Sequence, residues 1–122
     1  MKLKLVCCFK ELSYGDEKAD SIKKYISTNE CKNKNRIIEY LDSGICIASC
    51  VGVSEDVINP QKGIIGAPDA LTDGKFQWYA DLSYYVKEYN LKLPQEFIDN
   101  MIKNNWKIPI SDKDIEEKIE YI

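Results

Sequence analysis

Leu3, Leu5, Cys7 and Phe9 alternate with Lys2, Lys4 and Lys10. This period-two pattern predicts a half-buried opening strand. Ser13-Tyr14-Gly15 supplies a turn. Ala19, Ile22 and Ile26 then recur at helical spacing, which predicts a short amphipathic helix within Asp16 to Ser27. The Asn- and Lys-rich stretch from Thr28 to Asn35 reads as a loop. Arg36 to Leu41 predicts a second helix with Ile37, Ile38 and Leu41 inward, and Gly44 is placed to stop it in a left-handed conformation.

Ile45 to Val53 is the most apolar run, and its Ile, Val and Cys content predicts a central strand covered on both faces. Val57-Ile58 and Gly63 to Gly66 suggest short strands around a turn at Asn59-Pro60. Thr72-Asp73-Gly74 is a hairpin signal, with Lys75 to Trp78 as the outgoing strand. Asp81 is positioned to cap a helix whose inward face is Leu82, Tyr85, Val86 and Tyr89, with Asn90 as its stop. Pro94 suits the first turn of a further helix carrying a stripe of Phe97, Ile98, Met101 and Ile102. Asn104-Asn105 ends that helix, and Trp106 is expected to fold back onto the sheet. Ser111 with Asp114 predicts a last helix bearing Ile115, Ile119 and Ile122. The fold class expected is α+β: a mostly antiparallel sheet of four or five strands with helices packed chiefly on one face.

Composition narrows the chemistry. At 122 residues, with 44% hydrophobic and 30% charged side chains, one domain spanning residues 1–122 is expected. No run approaches the roughly 20 apolar residues of a membrane span. The lysines near the start interrupt what a signal peptide would need, so a cytoplasmic protein is expected. Histidine is absent. That removes Ser-His-Asp and Cys-His catalysis and every histidine metal site. Five cysteines and no export signal argue against a disulfide framework. Cys46 and Cys50 on one extended strand would lie roughly 13 Å apart, too far to share a zinc ion. No metal and no cofactor are therefore expected.

The 17 basic residues include a single arginine, Arg36, and bidentate phosphate or guanine recognition relies on arginine. Basic and acidic side chains balance through residue 110. The net charge of −3 falls in residues 111–122. Nucleic-acid binding is disfavoured, and a basic protein partner is permitted.

The densest polar and aromatic cluster runs from Asp69 to Tyr85, with Asp69, Asp73, Trp78, Tyr79, Asp81, Tyr84 and Tyr85. It supports two accounts. In one, Asp69, Asp73 and Asp81 present charge at one end of the sheet beside rigid aromatic anchors, a combination that protein interfaces favour. In the other, Asp73 makes a turn, Asp81 caps a helix, and Trp78 and Tyr85 fill the core. The inward stripe of its helix leaves Tyr84 outward. Asp112, in the final acidic helix, could face a basic partner or only solvent. The candidate partner-binding residues are thus Asp69, Asp73, Tyr79, Asp81, Tyr84 and Asp112. Gly63-Ile64-Ile65-Gly66 lacks the following Gly-Lys-Ser/Thr of a phosphate loop and reads as a tight turn.

From about Gly44 to Pro109 the chain resembles a family of small uncharacterised bacterial proteins. The resemblance rests on Leu71-Thr72-Asp73-Gly74, Phe76, Trp78, Asp81-Leu82, Tyr84-Tyr85-Val86, Tyr89, Leu93-Pro94, Glu96-Phe97, Met101, Asn104, Trp106 and Pro109. Tyr79-Ala80 departs from it where a proline is expected. The family is similar to immunity-type proteins that neutralise bacterial toxins. The resemblance implies stoichiometric occlusion of a toxin domain and transfers no binding residue. The alternative is a small ligand-binding domain or an enzyme using carboxylate and tyrosine. That alternative requires a concave pocket holding at least two of Asp69, Asp73, Asp81 and Tyr85.

Overall fold

Four large rings organise the interior. Phe76 and Trp78 sit two residues apart on one strand and so share a face. Phe97 lies 4.9 Å from the first ring and 5.3 Å from the second, and Tyr40 stacks on Trp78 at 6.1 Å between centroids. All four are almost wholly buried. The computed structural model describes residues 3–7, 9–12, 15, 18–49 and 52–110. Among them the elements run in the order β1 (Lys4–Leu5), α1 (Lys34–Asp42), β2 (Ile45–Ala48), β3 (Ser54–Glu55), β4 (Ile64–Gly66), β5 (Ala70–Thr72), β6 (Phe76–Tyr79), α2 (Leu82–Tyr89) and α3 (Gln95–Lys103). The protein is α+β.

The main sheet has four strands in the order β1-β6-β5-β2, and β3 and β4 form a separate two-stranded ribbon. β5 and β6 are the expected hairpin, with Leu71 opposite Trp78 and Gly74 at a φ of 97° in the turn. That positive φ is why a glycine stands there. The sheet is not antiparallel throughout, because β1 runs parallel to β6. β1 is also shorter than expected. Cys7 adopts a φ of 62°, which takes the chain out of the extended conformation and makes Leu3, Val6 and Phe9 the buried positions. Leu5 is left exposed.

The apolar run from Ile45 does not make a central strand. β2 stops at Ala48 and lies at the sheet edge, with only one side of it half-buried. The inner strands are β5 and β6, which the hairpin turn brings together. Gly44 stands at the start of β2 for a different reason from the one expected. Its φ is not in the left-handed region, but a Cβ there would come within 2.5 Å of the Trp78 ring and 3.0 Å of the Leu71 Cβ. The glycine admits the tryptophan, whose indole N–H donates to the Leu41 carbonyl at 3.2 Å.

Of the helix expected over residues 16–27, the described part holds one 3-10 turn, Ile22–Lys24, with Ile22 fully buried. Residues 57–58 form no strand, and Ser54–Glu55 pairs with β4 instead. α2 buries Leu82, Tyr85 and Val86 and ends at Asn90 in the left-handed region, as its stripe and stop residue predict. α3 buries Phe97 and Met101 with Asn100, whereas Ile102 is 52% exposed and lies outside the buried stripe. The Trp106 backbone N–H donates to the Met101 carbonyl at 2.9 Å at the end of α3, and its ring faces a helix instead of the sheet expected for it. Arg36 of α1 lies 5.9 Å above that ring. The helix expected over residues 112–122 lies outside the described residues. No helix among them is long and apolar enough to cross a membrane.

Candidate functional site

Asp56 is only 1% exposed, yet it carries a charge-bearing carboxyl, and four donors converge on it. Oδ2 accepts from the Tyr84 hydroxyl at 2.7 Å and the Tyr89 hydroxyl at 2.5 Å. Oδ1 accepts from the backbone N–H groups of Ile58 at 2.8 Å and Asn59 at 2.7 Å. The two backbone bonds close an Asx turn that leads into the Pro60–Lys62 3-10 turn. One residue to either side, Tyr85 completes the attachment. Its hydroxyl donates to the Glu55 carbonyl at 3.0 Å and accepts from the Val57 N–H at 3.1 Å. Three tyrosines on α2, at positions 84, 85 and 89, thus fix the backbone of residues 55–59.

Burial alone would raise the Asp56 carboxyl. The Tyr89, Asn59, Tyr84 and Ile58 donors outweigh it and hold the group below the usual aspartate value. The phenols respond in the opposite sense. Burial first, and donation to Asp56 second, push Tyr89 up to about 12 and Tyr84 further still. Burial, with the Asp81 and Asp56 charges nearby, takes Tyr85 to about 12 against the opposing Val57 N–H.

This anchored segment forms the wall of a small concavity of about 320 Å³. Glu11, Ser54, Glu55 and Asp81 line it with the apolar Leu12 and Val53, and no basic side chain among the described residues does. Burial would raise the Glu11 carboxyl, but hydrogen bonds from the Ser21 hydroxyl and the Ile22 N–H outweigh it and keep the group below its ordinary value. Ser54 is 5% exposed, and its Oγ has no hydrogen-bond partner among the described residues. A buried hydroxyl without a partner costs on the order of 1–3 kcal/mol. Asp81 also lines a second, larger cleft of about 700 Å³, where Tyr84 and Asp42 stand with Lys34 and Lys87. A third concavity of about 650 Å³ is walled by Phe9, Tyr25 and Leu93 and holds none of the sequence candidates.

The structure separates the six candidates. Asp81 and Tyr84 share the larger cleft. Tyr84 does not project freely from its helix, because its ring is half-buried and its hydroxyl is bound to Asp56. Asp81 is 5% exposed and stands at the N-terminus of α2 without a side-chain capping bond. Asp69 and Tyr79 are half-buried at the paired ends of β5 and β6, where the Ala80 N–H donates to the Asp69 carbonyl at 2.8 Å. Asp73 is 1% exposed and turned into the protein, so it presents no surface. Oδ1 accepts from the Lys75 and Phe76 N–H groups, and Oδ2 from Tyr40 and Asn100. Asp112 lies outside the described residues.

Sequence reasoning missed Asp56, Ser54, Glu55 and Glu11. Asp56 carried a readable signal, since an aspartate three residues before Asn59-Pro60 suits an Asx turn. The other three carried none. Only the tertiary placement of β3 brings them together. Among the described residues no group of three Cys, Asp or Glu side chains could hold a metal ion. No family profile, curated protein or solved structure matches the chain.

Proposed function

We propose that this chain is a protein-binding module, an immunity-type protein that occludes a cognate bacterial toxin stoichiometrically and without a cofactor. The observation that carries this reading is the concavity beside the β3–β4 ribbon, whose charged lining among the described residues, Glu11, Glu55 and Asp81, is acidic. Val53 is 54% exposed and Ile64 is 65% exposed on that ribbon. Ile64 pairs with Glu55 in register, which sets an apolar side chain next to an acidic one. Apolar contact beside fixed negative charge suits a basic protein surface: the charge steers encounter and the apolar area holds the complex. The surface is rigid because the α2 tyrosines anchor its backbone, so little ordering entropy opposes association.

The reading as a ligand-binding domain or carboxylate–tyrosine enzyme draws less support. Asp73 and Tyr85 satisfy interior hydrogen bonds, and none of the three concavities described holds two of Asp69, Asp73, Asp81 and Tyr85.

The test is co-expression with the product of the adjacent gene, followed by titration of the purified pair. The expected result is a one-to-one complex that weakens as salt rises. Glu55→Lys should weaken it by about tenfold or more, without loss of folding, because Glu55 is exposed. Binding indifferent to both salt and Glu55→Lys would overturn the reading.

A further inference from the structure

The cavity of about 650 Å³ shares no lining residue with the acidic concavity or with the cleft of Asp81 and Tyr84. Three stretches of chain wall it, drawn from residues 7–9, 19–25 and 92–95. The Phe9 and Tyr25 rings pack 5.6 Å apart between centroids, and Leu93 and Pro94 continue the apolar wall. Backbone bonds tie the stretches together. The Lys92 N–H donates to the Tyr25 carbonyl at 2.8 Å, and the Lys10 N–H to the Asp20 carbonyl at 3.3 Å. A ligand therefore meets walls already in place, and little ordering entropy opposes it.

Charge selects what such a cavity accepts. Among the described residues its charged lining consists of Asp20, Lys24 and Lys92. Asp20 is matched on both oxygens: Oδ2 accepts from the Tyr25 hydroxyl at 2.8 Å, and Oδ1 from the Lys24 ammonium at 3.3 Å. Those donors, the Tyr25 hydroxyl first, hold its carboxyl below the ordinary aspartate value. Lys92 has no hydrogen bond or ion pair among the described residues. The lining thus carries one cation in excess beside apolar walls, the complement of a single negative charge on an apolar body.

We infer that this cavity binds a small aromatic carboxylate, with its ring against Tyr25, Leu93 and Pro94 and its charge toward Lys92. The site goes beyond the partner recognition proposed above and uses none of Asp69, Asp73, Asp81 and Tyr85. Its volume lies within the roughly 300–1,000 Å³ range of ligand pockets, so a two-ring body has room. Rings favour offset or edge-on contacts with centroids about 4.5–7 Å apart, and the tilted Phe9–Tyr25 pair already follows that geometry. A cation finds both oxygens of Asp20 occupied. A phosphate ester would lack the arginine that bidentate recognition needs, since the chain's one arginine, Arg36, lies over Trp106.

The experiment is a titration of the full chain with 2-naphthylacetate at neutral pH, followed by backbone amide shifts. The neutral 2-naphthylacetamide and the ringless acetate serve as controls. The expected result is saturable shifts at Cys7, Ala19, Tyr25 and Leu93 with the aromatic acid. The neutral amide should bind about threefold more weakly, and acetate should not saturate. Lys92 is exposed, so Lys92→Gln should leave folding intact. It should weaken the acid by about threefold and leave the amide unchanged, which erases the preference between them. Ala19→Trp places bulk in the cavity without altering its charge and should abolish saturable binding of both. Absence of saturable shifts in the native chain would overturn the assignment. So would acetate or the amide binding as well as the acid, an acid preference that survives Lys92→Gln, or binding retained in Ala19→Trp. Glu55→Lys, which tests the proposed partner interface, should leave the naphthylacetate affinity unchanged. Failure of the partner complex and failure of the cavity are therefore read separately.

Discussion

The Tyr40 hydroxyl donates to Asp73 Oδ2 at 2.5 Å, joining α1 to the β5–β6 turn across 33 residues of chain. Asn100 of α3 donates to the same oxygen at 3.0 Å, and Asn104 donates to the Tyr40 hydroxyl at 3.1 Å. Three elements thus meet at one carboxylate. Burial first, and donation to Asp73 second, raise the Tyr40 phenol well above its ordinary range. The turn that marks Asp73 in the sequence is only half its role, because one oxygen shapes the hairpin and the other holds the helices.

Replacing Asp73 by alanine strands the Tyr40 hydroxyl, the Asn100 amide and two backbone N–H groups at once. The expected loss is about 3–5 kcal/mol of unfolding free energy, read from urea denaturation. Tyr40→Phe removes one donor and keeps the ring on Trp78, so it should cost about 1–2 kcal/mol. A loss for Asp73→Ala no larger than that for Tyr40→Phe would show that the carboxylate does not join the three elements.

Gly44 gives a steric test. An alanine Cβ there would meet the Trp78 ring at 2.5 Å, and the ring cannot retreat without leaving the Leu41 carbonyl and the Phe97 and Tyr40 rings. Gly44→Ala should cost about 1–3 kcal/mol by overpacking and change the tryptophan near-ultraviolet dichroism. A left-handed stop would predict asparagine to be tolerated there, whereas the close approach predicts that it is worse than alanine.

What could be read in advance was local. The Thr72-Asp73-Gly74 turn, the Leu82–Tyr85–Val86 stripe and the left-handed Asn90 each follow from a few neighbouring residues, and the structure has all three. The failures involve partners distant in the chain. Alternation at Leu3, Leu5 and Cys7 describes a strand only while the backbone stays extended, and Cys7 leaves that conformation. Apolarity at Ile45 to Val53 could not say whether the strand lay inside the sheet or at its edge. Tyr84 looked outward by helical spacing because Asp56, its partner 28 residues away, was not part of that pattern. The acidic concavity was invisible for the same reason, since Glu11, Glu55 and Asp81 come from three separate segments.

The exposed residues of the ribbon should be dispensable for folding. Ile64 is 65% exposed on β4. Ile64→Thr keeps the β-branched shape that suits a strand and should change unfolding free energy by no more than about 0.5 kcal/mol. In the partner titration the same change should weaken binding, because it removes apolar area from the proposed interface. A large folding defect would show that Ile64 serves the fold instead.

The Asp56 cluster makes stability depend on pH at both extremes, with opposite signs. Tyr85 and Tyr89 titrate near 12 when folded, against about 10 in an unfolded chain. Their contribution is complete below pH 10 and is lost as pH rises toward 12, because the unfolded chain releases those protons first. Asp56 titrates below its ordinary value when folded. Its contribution is complete above about pH 4 and is lost as pH falls through the lowered value. Thermal melts should therefore show a plateau flanked by an acid and an alkaline decline. In Asp56→Asn the acid decline should shrink, since the group no longer titrates. Phenolate absorbance should rise in two stages in the native chain, with Tyr40 and the α2 tyrosines in the later one. A single stage near the ordinary phenol value, with stability unchanged through it, would mean that Tyr84 and Tyr89 do not donate to Asp56 in solution.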